Sequence, residues 1–325
     1  MSSCPTVFTA LPLMPPRCGA ARIWLTILLA LLLCCGPCGI IAARGAEAAG
    51  TPPPPGPPQA DADTQAIAWT ERDGLALAEL PLPLADGKRG PVLAVLRLSP
   101  EQFDFVLCAA GRERHPPLTL VEWADLRRLT AVINASMFLP DGVTSTGYLR
   151  EGDYINNKRL GARLGAFFVA GPDSPELPRA AIIERSRPDW EERIARYRLV
   201  IQNYRLISGD GQILWKPGGP RNAISAVAED MAGNILFLHC REPLDAHSFA
   251  AGLLRLPLQV RTVMYVEGGR QAGLLLRSGD LRREYNGLSA AEFLPGGTIR
   301  AALPNVLGAR PRADLPAAPP PARTP

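Results

Sequence analysis

Short apolar runs recur along the chain between residues 67 and 307, and most of them end at glycine, asparagine or aspartate. Runs of this length, bounded by turn-forming residues, are typical of buried strands that end in loops. The pattern predicts a hairpin of residues 92–96 with 103–107, and another of 223–228 with 234–238 across a turn at 230–233. Further strands are predicted at 132–134, 165–169, 180–183, 198–202, 212–215, 262–266 and 274–276.

A first helix is indicated by the spacing of Thr119 and Glu122. In a capping box the threonine accepts from a first-turn amide while the glutamate reaches back to the threonine amide. The helix is expected to end at Leu129, with Trp123 and Leu126 facing inward.

A second helix is predicted at residues 246–256, because Asp245 is placed as its N-cap and apolar residues follow at helical spacing. Strands are therefore many and hairpin-linked, whereas helices are few. The sequence predicts a single α+β domain of mainly antiparallel or mixed β-sheet with a few covering helices, not a doubly wound sheet.

The first 48 residues have the order of a secretory signal peptide: a basic start, an apolar centre at 23–33 and a small-residue exit. An uncleaved membrane anchor is one alternative. Lipid modification at Cys34, Cys35 or Cys38 is another. We expect an exported protein, periplasmic or extracellular, tethered to a membrane only if this segment stays attached.

Composition divides the rest of the chain into three parts. Residues 49–66 are proline-rich and typical of a stiff linker. Residues 67–307 carry the apolar runs and are long enough to bury one substantial core. Residues 308–325 form an Ala/Pro/Arg tail with too little apolar surface to fold.

Charge and cysteine content narrow the functional classes. The chain has 35 basic and 31 acidic residues, with no basic stripe interleaved with aromatics, which argues against a nucleic-acid partner. Five of seven cysteines precede residue 49, and the other two, Cys108 and Cys240, could form a disulfide or remain buried thiols. No zinc-binding spacing, Walker loop or serine elbow is present. We predict no cofactor and leave a divalent metal open.

Polar or glycine clusters stand at the ends of several apolar runs. In order they are Asn134-Ala-Ser136-Met-Phe138 with Gly147-Tyr148, then Gln202-Asn203, Arg221-Asn222 and Glu267-Gly268-Gly269. Over roughly residues 93–277, this set resembles the phosphodiester glycosidase domain, the family of the enzyme that uncovers mannose 6-phosphate on lysosomal glycoproteins. Many bacterial members of that family are exported proteins.

Three positions depart from the family pattern. Ser136 replaces a glycine, Glu267 replaces an aspartate, and Arg270-Gln271 follows the glycine pair where the family usually has a serine. The glutamate is one methylene longer, and a 1 Å misplacement can cost about 100-fold in rate. The resemblance therefore implies the fold more firmly than the activity.

The resemblance implies hydrolysis at the anomeric carbon of a sugar-1-phosphodiester. A phosphate monoester leaves without a proton because its second pKa is about 6, so one carboxylate could replace the usual pair. Glu267 would act as general base or stabilise the transition state, Arg221 would grip phosphate and Asn134 would contact sugar hydroxyls. The other predicted substrate-binding residues are Asn222, Gly268, Gly269, Phe138, Tyr148, Gln202 and Ser136.

Each residue also has an ordinary structural interpretation. Arg221 could pair with a surface carboxylate, Glu267 could be a solvated turn residue, and Asn134 could cap a turn at the strand end. Phe138 and Tyr148 could belong to the core.

The two remaining histidines of interest, His239 and His247, are interpreted as packing residues. Three hypotheses follow for the whole chain: an exported hydrolase of a glycan phosphodiester, a non-catalytic glycan-binding protein of the same fold, or a membrane-tethered accessory factor in polysaccharide assembly.

Overall fold

The structure, a computed structural model, describes residues 66–85, 87–287 and 300–314. The predicted signal peptide, nearly all of the proline-rich linker and residues 315–325 lie outside the described residues. Within the described ranges, no helix is both long and apolar enough to cross a membrane.

Strands dominate the described residues. In chain order they are β1 (Thr70–Arg72), β2 (Leu75–Pro83), β3 (Arg89–Leu98), β4 (Phe103–Ala109), β5 (Ala131–Asn134), β6 (Leu149–Glu151), β7 (Tyr154–Asn157), β8 (Ala166–Pro172), β9 (Ala180–Glu184), β10 (Tyr197–Ile207), β11 (Asn222–Asp230), β12 (Ile235–Leu244), β13 (Val260–Gly268), β14 (Gly273–Ser278), β15 (Leu281–Asn286) and β16 (Asn305–Pro311). The helices are α1 (Ala110–Glu113), α2 (Leu120–Arg127), α3 (Trp190–Ala195) and α4 (Ala246–Leu254).

These strands form two sheets, of eleven and five strands. The larger has the order β1-β2-β3-β12-β11-β13-β10-β6-β7, with β8 pairing with both β10 and β9, and the smaller has the order β15-β14-β5-β16-β4. Each pair of neighbouring strands that the structure describes is antiparallel. The predicted α+β class is confirmed as a sheet-rich fold with few helices.

The main core lies between the two sheets. Phe105 of the smaller sheet packs against Phe168 and Phe237 of the larger one, with ring centroids 5.4 and 6.1 Å apart. Side chains alternate across a strand, so each sheet also presents apolar residues to its outer face. Helix α4 covers the outer face of the larger sheet through Phe249, and α2 covers that of the smaller sheet through Trp123.

The structure confirms three predictions that were made from neighbouring residues in the sequence. Thr119 accepts from the Glu122 amide while the Glu122 carboxylate accepts from the Thr119 amide, which completes the predicted capping box. Asp245 caps α4 by accepting from the Ser248 amide at 3.0 Å. The predicted hairpin across residues 230–233 is the β11–β12 pair.

Other predictions were wrong. Strands β3 and β4 do not form a hairpin; β3 pairs with β2 and β12, whereas β4 pairs with β16 in the other sheet. Leu126 is 52% exposed, because α2 ends at Arg127 and turns only its Trp123 side toward the sheet. Residues 212–215 form only one isolated bridge, from Ile213 to Ile207.

Strand β16 continues through Pro311, past the domain end predicted at residue 307, because β4 and β5 pair with it on both sides. Cys108 and Cys240 are free thiols buried in separate apolar clusters, so the disulfide alternative is excluded. Burial raises the pKa of each thiol to about 12, which keeps both protonated.

Candidate active site at the end of strand β13

A β-bulge near the end of β13 sets the position of Glu267. Tyr265 pairs with Ala226, whereas Glu267 pairs with Ser225, so Val266 is an extra residue in this strand. Directly paired residues share one side of an antiparallel sheet. Ser225 is on the side of the smaller sheet, since its hydroxyl contacts the Gly273 carbonyl of β14 at 3.3 Å. The bulge therefore directs Glu267 toward the smaller sheet instead of toward α4.

The Glu267 carboxyl is poised for proton transfer at neutral pH. The residue is 7% exposed, and in the described residues its one hydrogen bond is from the Gly268 amide to Oε1, at 2.9 Å. Burial raises the pKa of Glu267 to about 7, an effect that the Gly268 amide opposes only in part. A carboxyl with this pKa is divided between its acid and base forms near pH 7, which suits general acid–base catalysis.

The glycine pair after Glu267 makes room for neighbouring polar groups. A Cβ at Gly268 would lie 1.9 Å from the Tyr265 hydroxyl oxygen, so that hydroxyl lies directly against the main chain. Gly269 has φ +70°, a conformation that favours glycine, and it begins a 3₁₀ turn that ends at Gln271. The side-chain oxygen of Asn222 is 3.8 Å from where a Gly269 Cβ would be. Glu267, the glycine pair and Asn222 thus share one end of the larger sheet.

Asn134 joins the smaller sheet to this turn. Its Nδ2 donates to the Gln271 carbonyl at 2.8 Å, and its Oδ1 accepts from the Gly273 amide at 2.9 Å. The side chain is buried. The amide is therefore engaged by the backbone on both of its polar atoms, and this geometry gives Asn134 a positioning role next to Glu267.

Arg221 lies at the start of β11, beside Asn222, and is exposed. One of its Nη atoms donates to the Pro243 carbonyl at 3.0 Å, which leaves the other guanidinium N–H groups facing solvent. The alternative interpretation, in which Arg221 pairs with a surface carboxylate, is not observed within the described residues.

Two further cations at this end of the larger sheet were missed from the sequence. Lys216 lines a small cavity together with Asn222 and Tyr265, and Arg270 follows the glycine pair. Both are exposed, and neither forms an ion pair within the part of the chain that the structure describes. By contrast, Arg205 and Arg261 each pair with a carboxylate. Lys216 and Arg270 are therefore available to bind an anion.

Aromatic rings border the same small cavity. The Trp215 ring is 5.2 Å from the Tyr265 ring and 5.5 Å from the Tyr204 ring, measured between centroids. Trp215 is half-buried, so part of its ring remains open. The spacing of Tyr265 two residues before Glu267 was visible in the sequence, whereas nothing local indicated that Trp215 would join it.

The other predicted binding residues form a supporting cluster. Gln202 is buried and makes four hydrogen bonds, accepting from the Tyr148 and Gly161 amides and donating to the Gly161 and Leu164 carbonyls. It therefore fixes the loop before β8 and has no polar atom left for a ligand. Tyr148 packs against the Phe167 cluster.

Ser136 and Phe138 also contribute to this support. The Ser136 hydroxyl is 2.9 Å from the Ser145 hydroxyl and 3.1 Å from the Asn305 side-chain oxygen, so it occupies a buried polar junction. Phe138 is half-buried and forms a backbone bridge with Ser145. The cluster adjoins the site because Asn203 donates to the carbonyl of residue 135, next to Asn134, at 2.8 Å.

Within the described residues, no three His, Cys, Asp or Glu side chains are grouped closely enough to hold a metal ion. The polar groups at the Glu267 turn are one carboxyl, amides and cations, a set suited to an anionic, hydroxyl-bearing ligand.

Comparison with solved structures shows what this fold is similar to. The fold is similar to the catalytic domain of zebrafish N-acetylglucosamine-1-phosphodiester alpha-N-acetylglucosaminidase auto-inhibited by its pro-peptide, with a TM-score of 0.52 and 12% identity over 76% of this chain and 84% of that chain. It is also similar to a hypothetical protein from Synechocystis, with a TM-score of 0.53 and 12% identity over 77% of this chain and 65% of that chain. No family model and no curated protein sequence matches the chain. At this identity the likeness shows the fold, which confirms the fold implied by the sequence motifs.

Proposed function

We propose that the protein is an exported hydrolase that cleaves a sugar-1-phosphodiester in envelope or extracellular glycans. One observation carries this proposal: a buried carboxyl whose pKa is about 7 stands at the end of β13, within a fold similar to that of a glycosidase catalytic domain. The exposed cations Arg221, Lys216 and Arg270, at the same end of the larger sheet, have no carboxylate partner in the described residues.

In the proposed reaction, Glu267 is the general base. A water oxygen attacks the anomeric carbon and passes its proton to the Glu267 carboxylate, while the bond from that carbon to the phosphate oxygen breaks. The electron pair of this bond leaves with the phosphate monoester. Because that leaving group needs no proton at neutral pH, no second carboxyl is required.

Binding of the phosphate is assigned to Arg221, Lys216 and Arg270. Guanidinium groups hold two phosphate oxygens at once, and unpaired cations give up no existing ion pair when they bind an anion. Asn222 can bond sugar hydroxyls, and the open part of the Trp215 ring can pack against the apolar face of a sugar.

The test is release of free sugar from a panel of methyl phosphodiesters of glucose, galactose, mannose and N-acetylglucosamine 1-phosphates. We expect wild-type turnover, and about 1,000-fold slower turnover for Glu267→Gln. Glu229→Gln is the matched control, because Glu229 is also a buried carboxyl whose pKa burial raises, yet it pairs with Arg261 away from the site.

Turnover should also increase as the pH rises. Because the base form of Glu267 is required, kcat/KM should rise with pH and level off above about 7. Glycan binding without turnover in both wild type and Glu267→Gln would contradict the hydrolase and support the glycan-binding alternative.

Export of the protein is tested in an experiment separate from the turnover assay. We expect the expressed full-length chain to yield a soluble periplasmic or secreted product whose N-terminus lies near residue 49. Recovery of the protein in the membrane fraction with residues 1–48 attached would replace this view with a membrane-tethered one.

A further inference from the structure

A second cavity, of about 390 Å³, lies on the larger sheet at β2, β3 and β12, beside β15. None of its lining residues belongs to the Glu267 turn. Its floor is explained by strand register: Glu79 is opposite Ala94, and Ala94 is opposite His239. Paired residues share one side of the sheet, so the small Ala94 side chain leaves open space between a carboxylate and an imidazole.

Tyr285 closes this space from the smaller sheet. Its hydroxyl donates to Glu79 Oε1 at 2.8 Å, and its ring centroid is 6.2 Å from that of His239. The cavity therefore has an apolar floor, an aromatic wall and a carboxylate rim. Its volume is within the range of small-molecule sites.

His239 supplies an unused polar atom inside this cavity. The residue is 1% exposed; Nδ1 lies 3.1 Å from the Ser225 hydroxyl, and Nε2 is buried without a partner in the described structure. Ser225 belongs to β11, on one side of β12, so Nε2 on the opposite edge of the ring is directed away from β11, toward the space over Ala94. Most buried polar atoms of folded proteins have a hydrogen-bond partner, so this nitrogen can bond a ligand or a water.

Charge around the cavity indicates the class of ligand. Two arginines, Arg89 and Arg241, and two carboxylates, Glu79 and Glu242, line it, so their formal charges cancel. Burial lowers the pKa of His239 to about 3, so the imidazole is neutral and contributes a hydrogen bond instead of a charge. Such a lining suits an uncharged ligand that has both apolar surface and hydroxyl groups.

We propose that this cavity binds an uncharged sugar ring, which hydrogen-bonds His239 Nε2 and packs one face against Tyr285. The proposal is independent of the reaction assigned to Glu267. It places a glycan-binding site about two strand spacings from that residue, or ~10 Å, because His239 and Glu267 are both paired with Ser225.

The probes are the methyl glycosides of glucose, galactose, mannose and N-acetylglucosamine, titrated into the purified protein while the histidine ring signals are followed by NMR. The chain has three histidines, so loss of a signal in His115→Gln and in His247→Gln leaves the third signal assigned to His239. We expect at least one probe to shift the His239 signal in a saturable manner.

Three variants then locate the binding. Ala94→Leu should abolish the shift because its side chain fills the cavity. Tyr285→Ala should weaken affinity about tenfold by removing the ring that packs against the sugar, and Glu79→Gln should do so by removing the charged acceptor at the rim. The last two residues are at the rim, so these variants keep the test valid if Ala94→Leu fails to fold. Glu176→Gln, an exposed control outside the cavity, should bind normally.

The outcomes separate this proposal from the proposed reaction. Glu267→Gln should lose turnover and keep the His239 shift. Absence of a His239 shift with every probe would mean that the cavity holds only water, and an undiminished shift in both rim variants would place the sugar elsewhere. Tighter binding of a sugar 1-phosphate than of the matching methyl glycoside at this cavity would overturn the uncharged class of ligand.

Discussion

Replacement of Glu267 by glutamine should change how the stability of the fold depends on pH. Burial raises the pKa of this carboxyl from 4.5 to about 7, so the folded protein holds the proton more tightly than the unfolded chain does. The resulting stabilisation is fully present below pH 4.5, is lost as the pH rises, and is gone above about pH 7.

The size of the effect follows from that interval. The distance from 4.5 to about 7, at ~1.4 kcal/mol per pH unit, corresponds to about 3 kcal/mol. Glutamine does not titrate, so the difference in free energy of unfolding between the variant and wild type should move by about 3 kcal/mol in favour of the variant between about pH 4 and pH 8. Burial also raises the pKa of Glu229, but that residue is present in both proteins and cancels in the difference.

The assay is urea unfolding of both proteins across this pH range, with the free energy extrapolated to zero denaturant. Glu176→Gln, at an exposed position, should give a difference from wild type that stays constant with pH. If the Glu267→Gln difference were equally constant, the carboxyl would be solvated, and its assignment as a buried base would be refuted.

Three further changes test the geometry of the site. Asn134→Ala should lower the free energy of unfolding by about 3 kcal/mol, measured in urea, because it leaves the Gln271 carbonyl of the 3₁₀ turn and the Gly273 amide of β14 unpaired. Gly268→Ala should reduce turnover at least about tenfold, because its Cβ would lie 1.9 Å from the Tyr265 hydroxyl oxygen; adding Tyr265→Phe should restore part of the rate, and no restoration would contradict this contact. Arg270→Gln should raise KM for a phosphodiester about tenfold with little change in kcat and should weaken the salt dependence of KM; unchanged kinetics would remove Arg270 from phosphate binding.

The elements that sequence alone predicted are those fixed by nearby residues. Thr119 and Glu122 are three positions apart, and their mutual hydrogen bonds define a helix start whatever the rest of the chain does. The turn at residues 230–233 likewise determines the β11–β12 hairpin. In both cases the interacting groups lie within one short window of the sequence.

The pairing of strands that are distant in the sequence could not be predicted in this way. Strand β4 is at the edge of its sheet, and its one partner in the described residues, β16, comes about 200 residues later in the chain. An apolar run has the same pattern whichever partner covers it, so the hairpin of 92–96 with 103–107 was a natural error. Topology here depends on which faces two separate sheets bury together.

The candidate site was also predictable only in part from the sequence. The clusters at strand ends were visible as residue types, and the fold brings Asn134, Asn222 and Glu267 to one turn. What each side chain does there was not visible, since Asn134 is engaged by the backbone and Gln202 by a loop. The contributions of Lys216 and Trp215 depend on a loop conformation that no local pattern encodes.

Because Val266 is an extra residue in β13, it decides which face of the sheet carries the Glu267 side chain. Successive side chains of a strand alternate between two faces, so if the bulge were straightened with Val266 opposite Ser225, Glu267 would lie opposite Ile224, on the helix-covered side. The side chain at position 266 can therefore vary, but a one-residue slip in pairing at the bulge would exchange a reactive group for a misplaced buried charge.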